Sequence, residues 1–366
     1  MPQCNKHTIS FVLTTRCNLA CKYCYASRVK QETLDLAFAK KAIEEYVGPD
    51  SKEGLSQIRF FAGGEATTEF ELLKEIYRLS KERCPDLFAE IQTNGYFSEE
   101  KARWLGENMD EIWVSLDLFP EANDLYRVTI SGAPSSPVVV TNLEFFRDNP
   151  MKAKLGVRAT IHCGNLYRQK EGIDFLESVG IRRIWVDPIF PPVEDDGDKE
   201  YEPIDTMEFA REFIKARRYA KSKGIFYESN YTASFDGPCT MYCRSCIPLP
   251  HLTTDGYVSA CEMALTGKEP SHMEAFIYGR YDKERDVIIY DERKIEILRS
   301  RVLWNMPSDC RICVARMHCA GYCPGEVLNE TGSLFSIKRE SCKPIRYLYM
   351  EIGHEYNDGE FECKHP

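Results

Sequence analysis

The sequence predicts a partial α/β barrel followed by a smaller cysteine-rich domain. Apolar, β-rich runs alternate with amphipathic helical stretches over the first two-thirds of the chain. Such alternation is typical of βαβ units with a parallel sheet. Beyond about residue 230 the helices shorten, and Cys, Gly and Pro become frequent. Six strands are too few for the closed eight-stranded barrel, so we expect a partial (β/α)6 barrel over residues 1–230 and a second domain over 231–366.

The elements can be read from the sequence in order. Strand candidates are residues 8–14, 58–62, 88–93, 111–117, 155–161 and 183–189. The clearest helix candidates are 34–47, 70–84, 98–109 and 205–224, with apolar residues at helical spacing. Ser98 is suited to cap the third of these helices, and the acidic, proline-bearing stretch 191–203 predicts a loop. Ligands of such sheets bind at the carboxyl ends of the strands.

Composition limits the classes of partner. The formal net charge is −10, whereas a nucleic-acid-binding chain needs basic patches. No apolar run approaches the roughly 18 residues that a transmembrane helix needs, and no signal-peptide pattern opens the sequence. We therefore expect a cytoplasmic protein that binds neither nucleic acid nor membrane.

Sixteen cysteines are the most informative feature. In a reducing compartment, dense cysteine indicates metal or redox chemistry more often than disulfides. Cys17, Cys21 and Cys24 share the first predicted loop, with the spacing C-x3-C-x2-C. Thiolates suit both zinc and iron–sulfur clusters, but a structural zinc site would need a fourth ligand nearby. Since none follows in this loop, we expect an iron site that keeps one position open for a reactant.

The stretch "CNLACKYC" resembles the signature of the radical S-adenosylmethionine (SAM) family, with Tyr23 before the third cysteine. The resemblance implies a [4Fe–4S] cluster on Cys17, Cys21 and Cys24, whose fourth iron is chelated by the amino and carboxylate groups of SAM. An electron supplied by a donor of the flavodoxin or ferredoxin type would cleave the sulfonium. The resulting 5′-deoxyadenosyl radical would take a hydrogen atom from the substrate.

Further positions fit the same family. In "FFAGGEA", Gly63 and Gly64 could let the backbone approach SAM and Glu65 could accept from its ammonium, although Ala66 stands where relatives have proline. The simpler interpretation of this stretch is a turn.

Three more segments resemble SAM-contacting parts of the family. Ser115 and Asp117 fall on one face of a strand and would contact the ribose, unless that face is a solvated edge. Arg127 would pair with the SAM carboxylate, or is a surface arginine. Asn94, followed by Gly95, is either a turn or part of the site wall.

The carboxyl-terminal cysteines resemble a SPASM domain, an extension of radical SAM enzymes. Cys246 and Cys261 have the spacing C-x14-C around a predicted hairpin turn at 255–256, and 310–323 reads C-x2-C-x5-C-x3-C. A zinc ribbon is the alternative. The resemblance implies two auxiliary clusters, and so three [4Fe–4S] clusters in all. The distal set would be Cys310, Cys313, Cys319 and Cys342; the proximal set would be Cys246, Cys261, Cys323 and either Cys243, which we prefer, or Cys239.

The remaining candidates are single residues. Glu262 follows Cys261 and could act as a general base, or it is an exposed glutamate after a strand. Cys4, Cys84, Cys163 and Cys363 fit no ligand spacing. His162 and His251 are expected to be structural or to line the substrate site.

These features predict a radical SAM/SPASM enzyme that oxidises or crosslinks a peptide or protein side chain. Only sixteen residues precede Cys17, too few for a leader-peptide recognition domain, so we expect a compact enzyme of the sulfatase-maturase style or a separate recognition partner. The alternatives are a radical SAM dehydrogenase of a small alcohol, amino sugar or cofactor precursor, and, more remotely, a non-catalytic iron–sulfur electron-transfer protein.

Overall fold

The computed structural model describes residues 8–26, 29–61, 63–189, 201–235, 237–268 and 272–357. Parallel strands alternate with helices in the first part. The strands are β1 (Thr8–Phe11), β2 (Gln57–Phe60), β3 (Phe88–Thr93), β4 (Glu111–Ser115), β5 (Lys154–Ile161), β6 (Arg183–Pro188) and β7 (Phe226–Glu228). The helices are α1 (Leu36–Tyr46), α2 (Phe70–Arg83), α3 (Glu99–Asn108), α4 (Pro120–Tyr126), α5 (Ser136–Asp148), α6 (Gln169–Ser178) and α7 (Thr206–Ser222).

Shorter elements follow. The strands are β8 (His251–Leu252), β9 (Tyr257–Ser259), β10 (Ile277–Asp282) and β11 (Val287–Tyr290). The helices are α8 (Glu292–Arg299), α9 (Ser308–Arg311), α10 (Arg316–Cys319), α11 (Pro324–Thr331) and α12 (Arg339–Asn357).

Within the described residues the strands form one sheet in the order β11-β10-β9-β8-β1-β2-β3-β4-β5-β6-β7. The run from β8 through β1 to β7 is parallel, and β9, β10 and β11 are added antiparallel. Because β8 pairs with β1, the sheet continues across residue 230. The domain boundary at that point stays a prediction.

The α/β fold with a parallel sheet is confirmed, and all six predicted strands and four predicted helices are present with ends shifted by a few residues. The predicted hairpin turn is also present, with Gly256 at φ +89° between β8 and β9. Ser98 precedes α3 as expected, but its side chain makes no capping hydrogen bond. Asp35 and Asp205, by contrast, accept from backbone N–H groups of α1 and α7. Most of the loop 191–203, with Cys4 and Cys363, lies outside the described residues.

The two faces of the sheet differ in chemistry. One face is apolar and packs under the helices, with Ile9, Ile58, Ile91, Val114 and Val157 almost fully buried. The opposite face carries polar side chains at alternating positions of neighbouring strands; Ser10, Arg59, Glu90 and Asp187 are buried and Arg158 is half-buried. Polar groups are buried only where partners compensate for lost water, so this face is the place for a functional site.

Candidate active site

The predicted site residues gather at the carboxyl ends of the first four strands. Cys17 lies beyond β1, Glu65 beyond β2, Asn94 beyond β3 and Asp117 beyond β4. Since these strands are parallel, the four positions lie along one edge of the sheet. That edge is where an α/β sheet binds its ligands.

The Gly63–Gly64 pair holds the cysteine loop in place. The backbone N–H groups of Gly64 and Glu65 donate to the carbonyls of Thr14 and Arg16, both at 2.8 Å. A Cβ on Gly64 would lie 1.8 Å from the carbonyl oxygen of Arg16. Gly63, at φ +79°, has the left-handed conformation that favours glycine. The close approach that requires these glycines is therefore to the chain segment before Cys17, a contact the sequence did not predict.

The Glu65 carboxylate connects the ends of β2 and β3. Its Oε1 accepts from the backbone N–H of Thr67 at 3.0 Å and from the hydroxyls of Thr67 and Thr93, each at 2.7 Å. Its Oε2 accepts from the backbone N–H of Asn94 at 2.7 Å. With four such donors this buried carboxylate orients Asn94; a contact with the SAM ammonium stays a prediction.

Asn94 lies against the first cysteine. Its side-chain amide donates to Oδ1 of Asn18 at 2.7 Å and approaches Sγ of Cys17 at 3.7 Å. The backbone N–H of Leu19 also donates to that sulfur, at 3.4 Å. Hydrogen bonds to ligand sulfurs raise the reduction potential of iron–sulfur clusters. Asn94 thus contacts the cysteine loop; its place in the wall of a SAM site stays a prediction.

Asp117 is fully buried and joins three elements. Its Oδ1 accepts from Nε of Arg127 at 3.0 Å and from the backbone N–H of Thr160 at 2.9 Å, while Oδ2 accepts from the Tyr23 hydroxyl at 2.6 Å. Ser115 is also buried. The solvated-edge interpretation of this strand and the surface interpretation of Arg127 are therefore both wrong. The contacts proposed with SAM stay predictions.

The thiols of the first loop are electrostatically linked. Burial raises the pKa of Cys21 to about 12, partly opposed by the nearby Arg127 and reinforced by Cys24 and Cys17. Burial also raises the pKa of Cys17. Buried thiols of this kind become thiolates when a metal cation replaces the proton. This donor set fits three irons of a cluster.

No three His, Cys, Asp or Glu side chains within the described ranges converge closely enough to bind a single metal ion. That finding is compatible with a four-iron cluster, in which each thiolate binds a different iron.

The four proximal candidates interact in pairs. The nearby Cys246 and burial raise the pKa of Cys243, to which Cys323 also contributes. Burial and then Cys323 raise the pKa of Cys261. The other candidate, Cys239, donates its backbone N–H to the carbonyl of Met317 at 2.5 Å. The choice between Cys243 and Cys239 as the fourth ligand stays a prediction.

The four distal candidates line one cavity of about 570 Å³. Cys310, Cys313, Cys319 and Cys342 all contribute to its wall. Burial is the main influence that raises the pKa of Cys319 to about 12, followed by Cys310 and Cys342. Four thiols around a single space fit a four-cysteine cluster.

Glu262 points into the polar face of the sheet. Nη1 of Arg59 donates to its Oε1 at 2.6 Å, and Arg59 also forms an ion pair with Glu90 at 2.8 Å. The Glu262 side chain is 27% exposed, so the interpretation as an exposed glutamate is wrong. Tyr25 lies nearby: burial is the main influence that raises its pKa, followed by the charges of Glu262, Cys24 and Cys261.

The two histidines are structural or wall residues, as predicted. Nδ1 of the buried His162 accepts from the backbone N–H of Gly164 at 3.1 Å. Nε2 of the buried His251 lies 2.9 Å from Nη2 of Arg244, which also donates to the Ser10 hydroxyl at 2.9 Å.

Sequence reasoning missed Arg59, Arg244 and Tyr25. For Arg59 a signal existed, since a charged residue interrupts the apolar run "IRFF" of a buried strand.

Residues 11–176 match the Radical SAM superfamily. An uncharacterized protein of Methanocaldococcus jannaschii is 28% identical over 214 residues, covering 57% of this chain and 69% of the relative. A probable GTP 3′,8-cyclase of Methanococcus maripaludis is 25% identical over 264 residues, covering 68% of this chain and 82% of the relative. A cysteine-type anaerobic sulfatase-maturating enzyme of Clostridium novyi is 26% identical over 198 residues, covering 50% of this chain and 51% of the relative.

Two solved structures share the fold over most of the chain. The structure of anSMEcpe with bound AdoMet has a TM-score of 0.75 at 17% identity, covering 98% of this chain and 96% of its own. That protein has also been solved with AdoMet and the Kp18Cys peptide. Streptococcus suis SuiB bound to precursor peptide SuiA has a TM-score of 0.65 at 16% identity, covering 92% of this chain and 76% of its own.

A search of the helices in the described part of the chain finds none with the length and apolar character needed to cross a membrane.

Proposed function

We propose that this chain, whose residues 11–176 form a radical SAM domain, oxidises or crosslinks a side chain of a peptide or protein. The observation that carries the proposal is that Nη1 of Arg59 in β2 donates to Glu262, the residue after Cys261, at 2.6 Å, and that β8 pairs with β1, the strand that precedes the Cys17 loop. The two cysteine-bearing regions thus meet at one face of the sheet. A substrate bound there lies between the SAM site and the proximal cysteines.

The proposed cofactors of this protein are three [4Fe–4S] clusters and SAM. Cys17, Cys21 and Cys24 would hold the first cluster and the two carboxyl-terminal sets the others. When bound, the reduced first cluster and SAM would supply a radical that removes a hydrogen atom from the substrate. Asn94, Asp117 and their partners hold the surrounding loops, and the buried polar face excludes bulk water from this step.

Glu262 is the proposed acceptor of the substrate proton. Its carboxylate follows Cys261, and Arg59 fixes its orientation through one oxygen. A positioned carboxylate typically increases the rate of a proton-transfer step by a factor of about 100 or more. The electron left on the substrate would pass to the adjacent proximal cluster.

An external electron carrier of the flavodoxin or ferredoxin type is the proposed partner. Arg316 and Arg346 donate to the backbone carbonyls of Cys313 and Cys342, at 3.3 and 3.1 Å. Ile312, beside them, is 80% exposed. In a chain of net charge −10, this basic rim at the distal cysteines supports docking of a carrier with an acidic surface.

The first test is peptide modification. We expect the enzyme, co-expressed anaerobically with short open reading frames beside its gene, to remove two hydrogens from one residue or linkage, measured by intact mass and fragmentation. Glu262→Gln should still cleave SAM but form product about 100-fold more slowly or worse, since the proton acceptor is lost. The matched control is the exposed Glu274→Gln, which should behave as wild type.

Two results would contradict this proposal. Unchanged peptides together with accumulating 5′-deoxyadenosine would exclude these peptides and favour a small substrate. The likeness to GTP 3′,8-cyclases makes GTP the first small molecule to add. Full product formation by Glu262→Gln would exclude its role as the base.

The second test is iron content. Anaerobic reconstitution should give about twelve irons per chain from three four-iron clusters. The variant in which Cys17, Cys21 and Cys24 are all replaced by alanine should retain about eight irons per chain. Cys84→Ala, outside every proposed ligand set, is the control and should keep about twelve irons. A wild-type content of one cluster would contradict both auxiliary sites. Loss of iron in Cys239→Ala but not in Cys243→Ala would reverse the assignment of the fourth proximal ligand.

A further inference from the structure

Arg301 lies at the point where the two carboxyl-terminal cysteine sets meet. It follows α8 and is 1% exposed. Its Nη2 donates to the carbonyls of Gly321 and Tyr322, both at 3.0 Å, and its Nε donates to the carbonyl of Leu334 at 2.8 Å. Gly321 and Tyr322 separate a distal ligand candidate, Cys319, from a proximal one, Cys323. The guanidinium is therefore bound to the segment that connects the two sets.

That connecting segment has an unusual backbone. Ala320, Gly321 and Tyr322 have φ values of +42°, +87° and +66°. Residues other than glycine rarely adopt this left-handed conformation, because it is strained and persists only where the surroundings impose it. In this conformation the carbonyls of Gly321 and Tyr322 both point at the guanidinium of Arg301. The two hydrogen bonds therefore help to stabilise the left-handed backbone of residues 320–322.

The charge of Arg301 has no ordinary counter-ion. Among the described residues no carboxylate forms an ion pair with it, and its buried Nη1 has no hydrogen-bond partner. Lys338, also in this region, is by contrast paired with Glu326 at 2.9 Å. An unpaired buried charge is costly. A compensating negative charge is therefore expected close to Arg301.

Both carbonyl partners of Arg301 lie next to ligand candidates. Gly321 lines the same cavity as Cys310, Cys313, Cys319 and Cys342, the four distal candidates. Tyr322 directly precedes Cys323, a proximal candidate. The buried guanidinium is therefore held beside both cysteine sets.

We propose that Arg301 is a shared counter-cation of the two auxiliary clusters and raises the reduction potentials of both. The inference rests on the proposed function, because it requires those clusters. A reduced cluster carries one more negative charge than an oxidised one, so a fixed buried cation stabilises the reduced form more. Arg301 is in this sense a positioning residue that makes both clusters better acceptors of the electron left by the oxidised substrate.

The test is an EPR-monitored redox titration of the reconstituted full chain. Arg301→Gln removes the charge, whereas Arg301→Lys keeps it but loses the planar set of donors to the three carbonyls. Arg299→Gln, on an exposed position two residues away, makes the same change in net charge and is the matched control. We expect lower potentials for both auxiliary clusters in Arg301→Gln, and potentials near wild type in Arg301→Lys and Arg299→Gln.

Other outcomes would overturn the inference. Unchanged potentials in Arg301→Gln would exclude the electrostatic role. A shift of only one cluster would exclude a shared role, and equal loss of iron from Arg301→Gln and Arg301→Lys would assign Arg301 to backbone support alone. Absence of auxiliary clusters from the wild type would instead be a failure of the proposed function, and the iron content distinguishes these cases before any titration.

Discussion

Gly64→Ala should destabilise the fold by about 3 kcal/mol and remove iron from the amino-terminal site. The new Cβ would lie 1.8 Å from the carbonyl oxygen of Arg16 and 2.5 Å from its carbon. Neither is a flexible side-chain end, so the backbone itself must shift. That backbone leads directly into Cys17. Denaturant unfolding and iron content per chain measure the two effects.

Gly353→Ala is the matched control for this substitution. Gly353 lies in α12, and a Cβ built there meets nothing within 4 Å. Alanine in a helix interior is favoured over glycine by up to about 1 kcal/mol, so this variant should be as stable as wild type or more so, with full iron content. If Gly64→Ala behaved like the control, the close contact between residues 14–16 and 63–65 would not be required.

Asp117→Asn is expected to cost roughly 3 kcal/mol of unfolding free energy. The substitution keeps the shape of the side chain but removes the charge that compensates Arg127. Burial is the largest single influence on the pKa of Arg127 and lowers it, but Asp117, Tyr23 and Cys21 together outweigh burial, so the pKa is raised. Without the carboxylate, a largely buried guanidinium would be left unpaired. Denaturant unfolding at neutral pH measures the loss.

The control for Asp117→Asn is Asp148→Asn. Asp148 pairs with Arg147 on the surface, where water compensates both charges, so no measurable change in stability is expected. If Asp117→Asn were as stable as wild type, the hydrogen bonds of residue 117 with Tyr23 and Thr160 would be sufficient for stability without the ion pair to Arg127. SAM binding, measured by calorimetry on the folded variant, would then show whether the pair also shapes the cofactor site.

The polar face of the sheet bears on the choice between peptide and small substrate. Arg59 is buried there and Arg244 is half-buried, and the Arg59–Glu262 ion pair joins β2 to the segment after β9. Glu262 and Glu90 compensate the charge of Arg59, whereas the buried Nε of Arg244 has no hydrogen-bond partner. Arg244 is therefore the cation of this pair that remains available to a polar substrate atom. The choice between a peptide and a small substrate stays a prediction.

The sequence alone determined the α/β class, the six barrel strands, and the grouping of cysteines into an amino-terminal triplet and a carboxyl-terminal series. These signals are local: strand alternation has a period of two residues, and ligands in one loop show their spacing directly. Helices α4 to α6 and α8 to α12 and strands β7, β10 and β11 were not predicted, although the β8–β9 turn was. Most of these elements are short and have little periodicity to detect, but α5, with 13 residues, is longer than the predicted α3 with 10.

Tertiary structure alone decided which distant groups meet. The contact between Arg59 and Glu262 joins residues 203 positions apart, and Arg301 reaches residues 20, 21 and 33 positions along the chain. The same holds for Gly64, whose glycine requirement comes from the backbone of another loop. Such pairings depend on strand register and on the path of the chain between elements, and no spacing within one segment encodes them.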